Sequence, residues 1–200
     1  MRTIKIATSL AAAALLAGCL VPEKFTASAD FRLDGTYLYK FDGTVVHALV
    51  AMAESKGQLT DKNRAELTQQ VEEMSRARGV KSFKRINDSR YQMSTEEVLA
   101  AKPIGASGKT TDVFYVDDRE WKSSRILTVT GPAINPRNAK AFNELGIKMD
   151  GKVSVTLPSG AKVLENNASG TPGMFNKAYT WKITSVTDKP RIKFQLPAGN

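Results

Sequence analysis

The chain has 200 residues, with 29 Lys and Arg against 20 Asp and Glu, for a net charge of +9. Its single histidine and single cysteine exclude an internal disulfide and leave no ligand set for zinc or copper, so no metal or other cofactor is expected. The length suits one compact domain with a substantial core, and no fixed-period repeat is visible.

The first segment is a leader. Arg2 and Lys5 precede an uncharged run from Ile6 to Leu16, and Leu16-Ala17-Gly18 leads directly into Cys19. This is the basic, apolar and small-residue order of a secretory signal. The apolar run is shorter than the ~20 residues that cross a bilayer as a helix. The Leu-Ala-Gly-Cys stretch resembles the bacterial lipoprotein signal. That resemblance implies cleavage between Gly18 and Cys19, diacylation of the Cys19 sulfur and acylation of its amine by chains such as palmitate. By the same analogy, Leu20 in place of an aspartate implies an outer membrane site facing the periplasm, where such a membrane exists. The expected division is a signal peptide over 1–18, the lipidated cysteine and a short tether over 19–24, and a single domain over 25–200. Without Arg2 and Lys5 the net charge falls from +9 to +7. An exported domain of that charge suits anionic surfaces rather than nucleic acid.

Beyond the tether, Phe25, Ala27, Ala29, Phe31 and Leu33 alternate with polar residues, which predicts a half-buried strand. Asp34-Gly35 marks a two-residue hairpin turn. Tyr37, Tyr39 and Phe41 continue the alternation until Asp42-Gly43, which is expected to close the strand. Val45 to Ala53 is apolar except for His47 and predicts a buried helix ending at Lys56-Gly57. Thr60 caps a second helix with Asp61 in its first turn, Leu67, Val71 and Met74 on one face, a Glu72–Arg76 pair and Gly79 at its end.

Val80 to Ile86 and Arg90 to Met93 predict two short strands turned by Asn87-Asp88-Ser89. Ser94-Thr95-Glu96-Glu97 has capping-box spacing and predicts a short helix stopped by Lys102-Pro103. Strands follow at Val113 to Val116 and Arg125 to Thr130, joined through a turn containing Asp117, Asp118, Arg119 and Glu120. Asn135-Pro136 opens another helix that Gly146 ends. The remainder alternates at Val153/Val155/Leu157, Ala161/Val163, Tyr179/Trp181/Ile183 and Ile192/Phe194/Leu196. The expected fold class is α+β: an antiparallel sheet with helices packed largely on one face.

Gly151-Lys152-Val153, Pro158, Ala161, Asn166-Asn167-Ala168 and Tyr179-Thr180-Trp181-Lys182-Ile183 together resemble the terminal hairpin of bacterial lipoproteins with an LppM-like domain. The strand and Asp-Gly turn soon after Cys19 agree with the same family. The resemblance implies an envelope-facing α+β module with a lipid-binding role.

The chemistry is sparse. Asp112, Asp117, Asp118 and Glu120 lack the residue order of a calcium loop and are expected on a solvated turn. His47 lies in the most apolar segment, where a satisfied core histidine is the simpler reading than a catalytic base. Glu72-Glu73 and Glu96-Glu97 are adjacent on expected helices and do not form an acid/base couple. Gly105 to Thr110 lacks the first glycine of a phosphate-binding loop, because position 103 is Pro. No enzymatic activity is therefore expected.

Two groups remain as binding candidates. Arg76, Arg78, Lys81, Lys84, Arg85 and Arg90 oppose Asp88 alone within fifteen residues. They suit either a solvated basic face or an anionic-surface site. Tyr37, Tyr39, Phe41, Tyr179 and Trp181 suit either the core or a groove between sheet and helices. The expected function is a lipid-anchored, non-catalytic envelope protein that binds lipid or another amphipathic or anionic component. The alternative is an assembly lipoprotein holding an envelope protein.

Overall fold

The computed structural model describes residues 20–101, 113–121, 124–132, 134 and 136–197, with Trp121 described by its backbone alone. The leader, Cys19, Asp112 and the Gly105 to Thr110 loop lie outside the described residues.

The chain order is β1 (Leu20–Phe31), β2 (Thr36–His47), α1 (Ala48–Ser55), α2 (Asp61–Ser75), β3 (Val80–Arg85), β4 (Arg90–Ala100), β5 (Tyr115–Trp121), β6 (Ser124–Thr130), α3 (Pro136–Glu144), β7 (Asp150–Thr156), β8 (Lys162–Asn166), β9 (Ala178–Ile183) and β10 (Arg191–Gln195). A six-stranded sheet runs β3-β4-β2-β1-β7-β9, and a four-stranded sheet runs β5-β6-β10-β8. The β1–β7 pair is parallel, which makes the large sheet mixed rather than antiparallel. All pairs in the small sheet are antiparallel.

The alternation in the sequence decides how these layers meet. Phe25, Ala27, Ala29 and Phe31 of β1, Tyr37, Tyr39 and Phe41 of β2, Val153 and Val155 of β7 and Trp181 of β9 face one way. They share one core with Val116, Leu127, Val129, Ile192 and Phe194 of the small sheet. Phe31 meets Phe194 edge-on at 5.0 Å, and Tyr39 meets Phe114 edge-on at 5.4 Å, so aromatic edges lock the layers together.

The cover over the large sheet is therefore a second sheet, not helices on one face. The helices bury too few apolar residues to cover it, since α1 buries Val50 and Ala51, α2 buries Leu67, and α3 buries Ala139. Val71 and Met74 of α2 extend the main core, and α2 packs beside β3. Val21 and Val46 point to the other face by strand alternation and pack there with Ala51 and Ile147. Phe142 and Leu145 complete that second cluster, so α1 and α3 cover one end of the opposite face.

Several boundaries differ from expectation. Leu20 to Glu23, read as tether, are the first residues of β1, and Leu20 and Val21 are buried. The β1–β2 connection holds four residues, Arg32 to Gly35, rather than two. Arg32 N donates to the Thr36 carbonyl at 2.9 Å, Gly35 N donates to the Arg32 carbonyl at 3.1 Å, and Gly35 takes the left-handed φ of 76°.

Asp42-Gly43 does not close β2. Register shifts by one residue between Pro22 and Phe25, a bulge that brings the β1 backbone over Gly43. A Cβ at that position would collide with the Lys24 carbonyl and the Phe25 Cα. Val45 and Val46 continue β2, and α1 begins only at Ala48. That helix is half-buried, with Leu49 exposed.

The expected Ser94 helix is strand: β4 runs to Ala100 because it pairs with the whole of β2, from Thr36 to Val46. Eleven paired residues outweigh a local capping signal. Asp117 to Glu120 likewise lie within β5 rather than on a turn.

Candidate functional site

Two of the six cations read as a basic surface stand apart from the rest. Arg76 pairs with Glu72 at 3.8 Å, Arg78 with Glu97 at 3.0 Å, Arg85 with Asp88, and Arg90 with both oxygens of Glu23 at 3.1 Å. Asp88 also accepts from Arg64 Nε at 2.8 Å, so the β3–β4 turn is tied to α2. That hydrogen bond, ahead of those from Arg85, holds the Asp88 carboxyl below its ordinary pKa. The Arg90–Glu23 fork clamps the bulge of β1 against the start of β4. Lys81 and Lys84 are exposed and make no ion pair among the described residues. Four of the six cations are thus held in ion pairs within the fold, and Lys81 and Lys84 stand outside them.

The aromatic set is core rather than the wall of a groove. Tyr37, Tyr39, Phe41 and Trp181 are buried, and Tyr179 is half-buried against them. Burial pushes the Tyr37 hydroxyl pKa up to about 12, with Glu97 adding to the effect. Trp181 Nε1 donates to Asn167 Oδ1 at 2.8 Å, which ties the loop before β9 to the sheet. Alternation places these rings inward, where the small sheet closes over them.

His47 is a structural cap. Its Nδ1 accepts from Val50 N at 3.4 Å at the start of α1, and its backbone N donates to the Ser89 carbonyl at 2.8 Å. Burial lowers its pKa, and Nδ1 must be unprotonated to accept. Among the described residues, no group of three His, Cys, Asp or Glu side chains could hold a metal ion. Asp117 pairs with Arg119 at 2.9 Å and Asp118 with Arg125 at 2.9 Å, so those carboxylates serve internal ion pairs.

One open part of the molecule is the outer face of the large sheet, beyond the end covered by α1 and α3; another is the outer face of the small sheet, where Tyr115, Asp117, Thr128 and Lys193 line a depression of about 650 Å³. On the large sheet, a depression of about 530 Å³ is floored by Thr26 and Ser28 of β1, Lys40 and Asp42 of β2, Ser94 and Glu96 of β4, Lys152 and Ser154 of β7 and Thr180 of β9. Register explains the grouping: Glu96, Lys40, Ser28, Ser154 and Thr180 form one row across five strands. Ser94, Asp42, Thr26, Lys152 and Lys182 form the next. Hydroxyls, amines and carboxylates in such rows offer hydrogen bonds to a polar or charged headgroup.

Beside this floor the chain makes a second feature. Gly173 N donates to the Asn176 carbonyl at 2.7 Å, closing a tight turn that carries Met174 and Phe175 at its tip. Asn176 braces it by accepting from Ala178 N at 3.1 Å and donating to the Ala178 carbonyl at 2.9 Å. Met174 is 92% exposed and Phe175 97% exposed. Asn176 lines the depression, so the tip begins one residue from its rim.

Comparison with known proteins finds similarity among solved structures alone. No family model and no curated protein matches the chain. Among solved structures, it is similar to the folded domain of the Mycobacterium tuberculosis LppM protein, determined by NMR. The identity is 11% and the TM-score 0.44, over 90% of this chain and 92% of that one.

Sequence reasoning did not single out the polar rows or the apolar tip. The rows exist only through strand register, which brings Ser94, Asp42, Thr26 and Lys152 together from distant parts of the chain. The tip left a signal, Met-Phe inside an otherwise polar loop between Gly173 and Asn176.

Proposed function

We propose that this chain is a lipid-anchored protein of the cell envelope, held by acyl chains on Cys19, whose domain binds an anionic or amphipathic envelope component. The observation that carries this reading is the apolar run into Leu16-Ala17-Gly18-Cys19, followed at once by Leu20 in β1. With no tether between the acylated residue and the sheet, the domain stands directly on its bilayer. The role is binding rather than catalysis. The floor of Thr26, Ser28, Lys152, Ser154 and Thr180 takes a charged or hydroxylated headgroup by hydrogen bonds, with Lys152 and Lys182 supplying adjacent positive charge. Among the described residues, no helix is long and apolar enough to cross a membrane.

Replacing Cys19 by Ala tests the anchor. The variant should leave the membrane fraction or accumulate with its leader uncleaved, while the unaltered protein partitions with membranes. A Cys19→Ala protein that is still cleaved after Gly18 and still sediments with membranes overturns the reading. For the binding face, Lys152→Glu with Lys182→Glu should weaken co-sedimentation with anionic vesicles. Equal sedimentation would remove the face from the proposal.

A further inference from the structure

We infer that the Met174–Phe175 tip is a second membrane-attachment point, inserting between lipid headgroups at the end of the sheet opposite Cys19. The inference rests on the reading that Cys19 is acylated, because that supplies the bilayer.

Position comes from register. Leu20 pairs with His47 at one end of the large sheet, beside α1. Ala178, three residues after Phe175, pairs with Thr156, which pairs with Asp30 near the other end of β1. At about 3.3 Å per residue, β1 spans roughly 36 Å, so anchor and tip are separated by nearly the length of the sheet. Two attachments that far apart lay the sheet along the bilayer. Because Asn176, next to the tip, lines the depression on the outer face, that face is the one turned toward the lipid.

The chemistry of the tip fits a lipid interface. Met and Phe expose almost their whole side chains, and the turn that holds them is fixed by its own hydrogen bonds rather than by packing. Two side chains this exposed at the end of a four-residue turn can enter a headgroup layer without a preformed pocket. From Asn166 to Lys177 the chain has no acidic residue to repel anionic lipid, and Lys177 closely follows the tip. Apolar side chains flanked by a cation are the composition of interfacial anchors.

The test uses the mature protein reconstituted in vesicles of phosphatidylcholine, with and without phosphatidylglycerol. Cys19 is the only native cysteine, so Phe175→Cys adds one thiol for an environment-sensitive fluorophore. Glu66→Cys, on exposed α2, is the control. The label at 175 should shift to the blue, brighten several-fold and be quenched by brominated acyl chains, while the label at 66 stays as in buffer. A label at 175 that remains in water in both vesicle types overturns the inference. So does a blue shift without vesicles that grows with protein concentration, which marks self-association. Labelling stoichiometry separates the two readings: two reactive thiols per chain show an unacylated Cys19, which sinks the anchor, while the spectrum at 175 still decides the tip.

Discussion

His47 shows how one side chain can set a pH dependence without taking part in chemistry. Its neutral Nδ1 caps α1, and burial lowers its folded-state pKa below the unfolded value near 6.5. The sign follows from linkage: below pH ~6.5 the unfolded chain binds the proton and the folded chain does not. Stability is complete above that pH and falls as acid approaches the lower folded value. Thermal unfolding should therefore show a drop in Tm between neutral pH and about pH 5.5. His47→Asn, which keeps a capping acceptor, should flatten that drop; an unchanged pH profile would remove His47 as its source. Gly43 is a second single-residue constraint. Gly43→Ala should cost about 1–3 kcal/mol in denaturant unfolding, because the β1 backbone occupies the place of a Cβ. The apolar surroundings of His47 in the sequence foretell a satisfied histidine, but neither the cap nor the bulge. Both depend on where β2 ends, and the run from Val45 to Ala53 hides that boundary because valine suits a strand and alanine a helix.

Elements were legible where periodicity and caps agreed and misleading where they competed. Thr60 does cap α2, and its Oγ1 accepts from Asn63 N at 3.3 Å. Leu67, Val71 and Met74 do form the inward face of that helix. Ser94-Thr95-Glu96-Glu97 carries the same kind of local signal, yet Ser94 lies in β4 opposite Asp42. The difference is tertiary: the edge of β2 from Thr36 to Val46 needs a partner, and β4 supplies it along all eleven residues. Thr60→Ala should lower stability by about 1 kcal/mol through the lost cap. Ser94→Ala, on a half-exposed sheet face, should cost about 0.5 kcal/mol or less in the same denaturation experiment. Equal losses would mean that both serve as caps and would contradict the strand. The late strands were all visible as alternations, but alternation alone does not divide them between two sheets.

For the whole molecule, the decisive relation is between its covered and open faces. The small sheet covers the aromatic side of the large one, α1 and α3 cover one end of the other side, and the polar rows stay accessible beside an apolar tip. The proposed acyl anchor on Cys19, one residue before β1, would bring a bilayer to the start of the large sheet. The most direct measurement is the intact mass of the protein purified from membranes, with fragmentation of its N-terminal peptide. The expected first residue is Cys19 carrying a diacylglyceryl group on sulfur, with the leader absent. An unmodified Cys19 thiol, or a chain still beginning at Met1, would contradict the lipid anchor.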